Sequence, residues 1–96
     1  MKLQKVEMTP SASKAFKATY KLDNGSSKTV RFGTNSNYVL NKNKTQTDRK
    51  NYIARHSVSE NHENPLTAGA LSRHLLWGDS RSLKKNVKDF KTRFNV

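Results

Sequence analysis

The groups best able to hold a metal ion or move a proton lie close together, between residues 56 and 74. They are His56, Glu60, His62, Glu63 and His74. Zinc sites in helical segments repeat as His-x₃-His or His-Glu-x-x-His, because that spacing brings two ligands onto one side of a helix. Neither pattern occurs here, so we predict no metal site.

Catalytic nucleophiles are equally hard to place. The chain has no cysteine, and no serine lies in Gly-x-Ser-x-Gly or beside a recognisable base. The aspartates are scattered, at positions typical of a turn, a helix cap or a helix surface. A ββα-metal nuclease centred on His62 would need a second ligand that the sequence does not offer. We therefore predict that the protein is not an enzyme and uses no cofactor.

Phosphate binding has better support. Arg55 precedes His56 and Arg73 precedes His74, and the guanidinium fork matches phosphate geometry. The predicted partner or phosphate contacts are Arg55, Arg73, Lys84, Lys88, Lys91, Lys28 and Arg31. An equally weighted alternative is that the two arginines bind helix-end or loop carbonyls and hold the 60–65 loop, where Glu60 or Glu63 could pair with either of them.

The charge balance points the same way. Nineteen lysines and arginines oppose seven acids among 96 residues, giving a net charge of +12. Such a chain is attracted to nucleic acid, an anionic membrane or an acidic protein surface. No stretch approaches the roughly 20 apolar residues of a membrane span, and residues 1–7 lack the apolar block of a signal peptide. The absence of cysteine fits a reducing compartment.

Alternating apolar and polar residues predict strands over 16–22 and 28–32, joined by the turn residues Asn24 and Gly25. Residues 1–8 give a possible first strand, followed by a turn over 9–13. We expect an antiparallel hairpin or three-stranded meander within residues 1–33. Its polar face is expected to carry Lys17, Lys21, Lys28 and Arg31.

The rest of the chain predicts helices. A connection over 34–46 leads to a helix capped by Thr47 and ending near Ser57, then to one capped by Thr67 and ending at Trp77. Ser82 caps a last helix with an apolar stripe of Leu83, Val87, Phe90 and Phe94. The predicted loop and core anchors are Tyr52, Ile53, Leu71, Leu75 and Trp77. Tyr38 is left open between packing in the core and stacking on a base.

The predicted fold is therefore α+β, with the N-terminal β meander packed on three C-terminal helices in one domain over 1–96. The apolar fraction is only 32%, which is lean for a globular domain. A core this small predicts a domain that is marginal alone or is completed by a partner.

A series of short motifs spans most of the chain: Lys-Thr-x-x-Phe-Gly, Tyr-Ile-Ala-Arg-His, Glu-Asn, Pro-x-Thr-Ala-Gly, Ser-Arg and Leu-Leu-Trp. Their residues are Lys28, Thr29, Phe32, Gly33, 52–56, Glu60, Asn61, Pro65, 67–69, Ser72, Arg73 and 75–77. With these motifs the chain resembles a family of small basic uncharacterised proteins of nucleocytoplasmic large DNA viruses. Family members often have an aromatic residue, usually Trp, at the positions of His62, Leu71 and His74. A Tyr-x-Asp motif of the family is blurred here around Asn37 and Tyr38.

The resemblance implies a viral origin and no particular activity. Together with the missing catalytic set, it predicts a small, basic, non-enzymatic viral structural protein. We expect it in the virion, associated with the capsid and bridging larger capsid proteins, and in the host cytoplasm or nucleus before assembly. The alternative is a nucleic-acid-binding protein, in genome packaging or regulation, that contacts DNA or RNA through its basic surface.

Overall fold

A computed structural model describes residues 1–10, 14–58 and 60–96. The N-terminal part is an antiparallel sheet of β1 (Lys2–Met8), β2 (Phe16–Lys21) and β3 (Ser27–Phe32) in the order β1-β2-β3. The predicted three-stranded meander is thereby confirmed. Residues 11–13 of the predicted turn lie outside the described residues, as does Ser59, which follows the first predicted helix.

The turn between β2 and β3 uses the residues that the sequence marks for it. Gly25 has a positive φ of 87°, a conformation that side chains with a Cβ rarely adopt. The Asn24 side chain accepts hydrogen bonds from the Ser26 amide and hydroxyl. The Leu22 amide donates to the Ser26 carbonyl and closes the loop. These local bonds set the register of the two strands.

The register corrects the prediction for one lysine. Tyr20 and Lys28 are direct cross-strand partners, as are Ala18 and Val30. Directly opposed residues of an antiparallel pair point to the same side of the sheet. Since Tyr20 and Ala18 are fully buried, Lys28 lies at the end of the inner face. It does not share the outer face with Lys17, Lys21 and Arg31, as the sequence analysis had expected.

The first helix, α1 (Gln46–Ser57), begins two residues earlier than predicted. Thr45 is the N-cap, and its hydroxyl accepts from the Asp48 amide while the Asp48 carboxylate accepts from the Thr45 amide. This reciprocal capping box satisfies two amide groups that Thr47, as an N-cap, would leave without partners. These bonds to Thr45 also lower the pKa of Asp48. No residue of α1 is fully buried, so the helix lies on the surface.

The second predicted helix is only partly an α-helix. Its N-cap is Thr67, as predicted, with the hydroxyl accepting from the Ala70 amide, and α2 covers Ala68–Leu71. A π-helical turn then covers Ser72–Leu76, where the Trp77 amide donates to the Ser72 carbonyl. The predicted extent of the helix, from Thr67 to Trp77, matches the structure, and only the π-helical geometry of its second half was not predicted. A regular amphipathic α-helix buries one stripe of its surface. At the π-helical turn and just after it, four consecutive residues from Leu75 to Gly78 are buried.

The last helix, α3 (Leu83–Phe94), follows the prediction. The Ser82 hydroxyl accepts from the Lys85 amide, and Asn95 ends the helix in the left-handed conformation with a φ of 55°. Asn86 is buried on the inner side of α3 and donates to the carbonyls of Leu75 and Ser80. These bonds fix α3 against the π-helical turn.

The sheet and the helices share one hydrophobic cluster, which confirms the α+β architecture. Its buried members are Leu3, Ala15, Phe16, Ala18, Tyr20, Phe32, Tyr38, Leu71, Leu75, Leu76, Trp77, Phe90 and Val96. Leu3 and Val96 lie near opposite ends of the sequence, so the cluster holds both ends of the described chain. In the part of the chain that the structure describes, no helix has the length and apolar character needed to cross a bilayer.

Candidate nucleic-acid interface

The outer face of the sheet is polar and strongly basic. The residues that point away from the core are Lys2, Lys5, Glu7, Lys17, Thr19, Lys21, Ser27, Thr29 and Arg31. We call this surface the basic sheet face. It carries five cations and one carboxylate, which is Glu7, 3.4 Å from the Lys5 ammonium and 3.6 Å from that of Lys17.

The strand register places like charges opposite each other on this face. Lys2 pairs with Lys21 across β1 and β2, and Lys17 pairs with Arg31 across β2 and β3. Like charges in such positions lower the stability of a sheet. The like charges of the basic sheet face therefore lower the stability of the fold, and a bound polyanion would relieve that repulsion.

A second basic surface lies on α3. Lys84, Lys88 and Lys91 are all exposed and follow each other at i, i+4 and i+7, so they share one side of the helix. We call them the lysine stripe. None of the three forms an ion pair with a carboxylate of the described residues, since Asp89 is bound by Lys85 at 3.0 Å. The first turn of α3 contains no acid, although the helix dipole would favour one there.

The acids of the chain are all engaged within the fold. Asp48 closes the capping box. The other six lie within ion-pair distance of a cationic or protonatable group: Glu7, Asp23, Glu60, Glu63, Asp79 and Asp89. No acidic side chain is therefore left over to neutralise the lysine stripe or most of the basic sheet face, and these surfaces carry a large part of the net charge of +12.

The structure separates the two arginines that the sequence analysis treated as a pair. Arg73 is partly buried, and its guanidinium donates to the Trp77 carbonyl at 3.3 Å. Burial is the main cause that lowers the pKa of Arg73, and the positive charge of Arg49 is the second. Arg55 is exposed and has no ion-pair partner among residues 1–10, 14–58 and 60–96. Neither arginine forms an ion pair with Glu60 or Glu63 among the described residues. The bond of Arg73 to the Trp77 carbonyl is a helix-end contact, which the structural alternative also includes.

Other side chains hold that loop. His56 Nδ1 lies 2.5 Å from Glu60 Oε2, and Arg93 binds Glu63 at 2.8 Å. His74 Nε2 bonds the His62 carbonyl at 2.9 Å, and burial lowers the pKa of His74 below its usual value. These contacts use four side chains that looked reactive in the sequence, His56, Glu60, Glu63 and His74, to hold the loop in place.

The Tyr20 hydroxyl completes this support by donating to the Pro65 carbonyl at 2.5 Å. Burial raises the pKa of Tyr20 well above its usual value, so the hydroxyl keeps its proton and remains a donor. The sheet is thus tied directly to the loop.

The histidines do not assemble into a metal centre. Among the described residues, no group of three histidine, cysteine or acidic side chains is placed to hold a metal ion. His62 Nε2 is buried without a hydrogen bond, and it lies 3.7 Å from Glu60 Oε2. Glu60 is already bound by His56, so this cluster is a loop support.

Two arginines that the sequence analysis did not single out have structural positions. Arg49 Nε donates to the carbonyls of Trp77 and Gly78, and its Nη2 lies 2.5 Å from Asp79. Arg49 is separated from these partners by 28 to 30 residues along the chain. The Gly78 helix stop indicates that carbonyls there need donors, but nothing in the sequence names the donor.

Arg81 is the second arginine with a structural position that the sequence did not indicate. It donates to the carbonyls of Tyr38, Asn41 and Lys44, and its guanidinium lies 4.0 Å from the centre of the Tyr38 ring. Tyr38 is 6% exposed. The open question about Tyr38 is thereby answered: it packs in the core beneath Arg81 and has no free face for a nucleic-acid base.

The predicted anchors occupy different depths. Leu71, Leu75 and Trp77 are buried. Tyr52 is half-buried against the cluster, where burial raises its pKa, while Ile53 is half-buried outside the cluster and lines a surface cleft. Tyr52 lies between two other rings: the centroid of Trp77 is 4.4 Å away and that of His56 is 4.1 Å away.

No protein-family model, curated protein or solved structure matches this chain. The resemblance to the viral family therefore stays a prediction from its motifs. The geometry of the two basic surfaces is the remaining guide to function. Chemically, the basic sheet face and the lysine stripe can attract and hold a polyanion.

Proposed function

We propose that this protein binds nucleic acid through the basic sheet face and the lysine stripe, mainly by contacts with backbone phosphates. One observation carries the proposal: each of the seven acidic side chains already has a partner within the chain, while cations stand opposite cations on the sheet. Lysine and arginine contacts to phosphates supply most of the affinity of sequence-independent binding, through the release of counterions. The basic sheet face offers five cations on one side of the sheet, two of which, Lys5 and Lys17, also lie near Glu7.

The composition of this face favours nucleic acid over a lipid surface. Its remaining outward residues are hydroxyl-bearing: Thr19, Ser27 and Thr29. Hydroxyl groups are common donors to phosphate oxygens in nucleic-acid complexes. Surface binding to membranes uses apolar or aromatic side chains that enter the acyl boundary, and the outward residues of these strands include none.

The test measures affinity as a function of salt concentration. Binding of a 20-base-pair DNA by the wild-type chain should fall steeply between about 50 and 200 mM salt. The substitutions Lys2→Gln, Lys21→Gln and Arg31→Gln together should reduce the slope of log K against log salt by about 2.7, since each lost phosphate contact contributes about 0.9. These three leave the Glu7 ion pairs intact.

The matched control removes the same charge elsewhere. Lys28, Lys42 and Lys50 are exposed and lie outside the basic sheet face and the lysine stripe. Changing them to glutamine gives the same net charge as the sheet variant. We expect the control to lose less than one unit of slope. An equal loss in both variants would show attraction by net charge alone, and wild-type binding that does not depend on salt would overturn the proposal.

The second candidate is the predicted role as a capsid-associated virion component that bridges larger proteins. A specific observation favours protein contacts: Met8, Leu40 and Val58 are exposed, and Val58 is 88% exposed. In this role the basic surfaces would lie against the genome or against acidic capsid proteins, in a large DNA virus of the family that the motifs resemble.

This candidate predicts recovery of the chain from purified particles in a fixed ratio to capsid protein. Crosslinking in intact particles should connect Lys42, which lies near Leu40, to capsid protein. Recovery from infected-cell nuclei or cytoplasm and none from particles would contradict the structural role, while leaving nucleic-acid binding in place.

A further inference from the structure

A short aromatic stack runs from the core to the surface. Trp77 is buried, and its ring is stacked on Tyr52 with an angle of 6° between the planes. His56 covers the other side of Tyr52, at a centroid distance of 4.1 Å and an angle of 26°. His56 is the outer end of this stack, and its side chain is 40% exposed.

The ring of His56 is held in place. Its Nδ1 lies 2.5 Å from Glu60 Oε2. Glu60 in turn lies against Gly69, where a Cβ would be 2.8 Å from Glu60 Oε1. Because the close approach of Gly69 leaves room for the carboxylate, the His56 ring is positioned before any ligand arrives, which reduces the entropy lost on binding.

A groove of about 420 Å³ opens beside this stack, with Tyr52, His56 and Trp77 in its wall. Three cations from separate parts of the chain line it: Lys14, Lys44 and Arg55. The one carboxylate among its lining residues is Glu60, which is engaged with His56. An aromatic surface beside several cations is the combination that binds an unpaired nucleotide, with the base stacked and the phosphate held by charge.

We propose that this groove takes an unpaired nucleotide of a single-stranded nucleic acid, with its base on the outer end of the stack at His56 and its phosphate near Arg55. This inference rests on the proposed nucleic-acid binding and adds a preference for single strands. In a duplex both faces of each base are covered by its neighbours. A duplex can therefore use the basic sheet face and the lysine stripe but cannot place a base on His56.

The experiment compares a 12-nucleotide single strand with a duplex of the same sequence, each labelled for fluorescence anisotropy. We expect His56→Ala to weaken single-strand binding roughly tenfold, the order of one lost stacking contact, and to change duplex binding less than about twofold. His56→Phe keeps a ring and should restore most of the single-strand affinity. Circular dichroism and thermal melting of both variants check that the fold is retained.

Trp77 provides a second, label-free readout, since it is the chain's one tryptophan and lines the groove. The single strand should change its emission, and the duplex should not. Arg55→Gln, which leaves the stack untouched, should also weaken single-strand binding, whereas the control Lys50→Gln on the same helix should not.

The possible results separate the two proposals. Equal loss of both ligands with His56→Ala, or loss of neither, overturns the nucleotide groove and leaves salt-dependent binding standing. Failure of His56→Phe to restore affinity, with the fold retained, likewise overturns stacking. Absence of salt-sensitive binding to either ligand overturns the groove together with the proposed function.

Discussion

Three arginines of the helical half, Arg49, Arg73 and Arg81, carry the same charge as the lysines of the two basic surfaces and use it in a different way. These arginines donate to main-chain carbonyls of the chain itself. The cations of the lysine stripe and most of those on the basic sheet face point to solvent and form no ion pair with a carboxylate of the described residues. A net charge of +12 thus has two components, one needed for the fold and one available to a partner.

Side-chain chemistry explains this division. Several carbonyls meet at the end of the π-helical turn and in the 34–46 connection, and a rigid fork with five N–H donors can bind two or three of them at once. A lysine ammonium is a compact, strongly hydrated charge, which suits contacts with a flexible phosphate backbone. Substitutions in the two classes should therefore affect different measurements, stability for the three arginines and binding for the outward lysines.

The largest effect on stability is expected for Arg49→Ala. Its side chain is 13% exposed and binds Trp77, Gly78 and Asp79. The change removes the donor of the Gly78 carbonyl and leaves the Trp77 carbonyl with only the 3.3 Å bond from Arg73. We expect the free energy of unfolding to fall by about 3 kcal/mol, because hydrogen bonds to charged groups contribute roughly 1.5–3 kcal/mol each. Urea denaturation measures this, with the m-value unchanged.

Arg49→Lys is the matched variant, since it retains the charge and loses the fork. It should recover less than half of the lost stability. A loss below about 0.5 kcal/mol for Arg49→Ala, the range typical of surface substitutions, would contradict a structural role for this arginine.

Arg81→Ala should have the next largest effect, a loss of about 2 kcal/mol. The substitution removes donors to the carbonyls of Tyr38, Asn41 and Lys44 and the cation over the Tyr38 ring, an interaction that contributes roughly 0.5–1 kcal/mol at an exposed site. Hydrogen exchange should show faster opening of the 34–46 connection in particular. If exchange there matches the wild type, Arg81 does not hold the connection.

These two arginines also mark how far the sequence could predict the structure. Alternation in β2, the Asn24–Gly25 turn and the caps Thr67 and Ser82 are local patterns, and each led to an element that the structure contains. The π-helical turn was missed because consecutive apolar residues, such as those over 75–77, fit an α-helix with a wide buried side as well as a π-helical turn. The partners of Arg49 and Arg81 lie roughly thirty to forty residues away, and such pairs follow only from the assembled fold.

The candidate site was predictable to a similar extent. Alternation along each strand places Lys17, Lys21 and Arg31 outward, and helical spacing identifies the lysine stripe. The same alternation places Lys28 inward with Val30, a consequence that the sequence analysis overlooked. The cross-strand opposition of Lys2 and Lys21 needs the register of β1, which a bulge between Leu3 and Lys5 shifts.

A smaller effect is expected from pH. Burial lowers the pKa of His74, so the unfolded chain binds a proton there more readily than the folded chain. Stability should therefore be unaffected by His74 well above pH 6.5, the ordinary value, and should decrease as pH falls from there through the lower folded pKa. His74→Phe should flatten this part of the stability curve, as measured by urea denaturation between pH 5 and 7.5. An unchanged pH dependence would show that another group titrates.

The smallest effect on stability, and the sharpest contrast with Arg49, is expected for the lysine stripe. Changing Lys84, Lys88 and Lys91 to glutamine removes like charges at i and i+4, which destabilise a helix by roughly 0.2–0.5 kcal/mol per pair. It also removes Lys84 from the first turn, where the helix dipole disfavours a cation, and Lys91 from the last turn, where the dipole favours one, so these two effects offset each other. We expect unfolding free energy to rise by about 0.5 kcal/mol, and the salt slope of DNA binding to fall by about 2.7. Lys85 stays unchanged because it binds Asp89. A variant that loses stability and keeps full binding would place these lysines with the three arginines, and the division of charge proposed for this fold would be wrong.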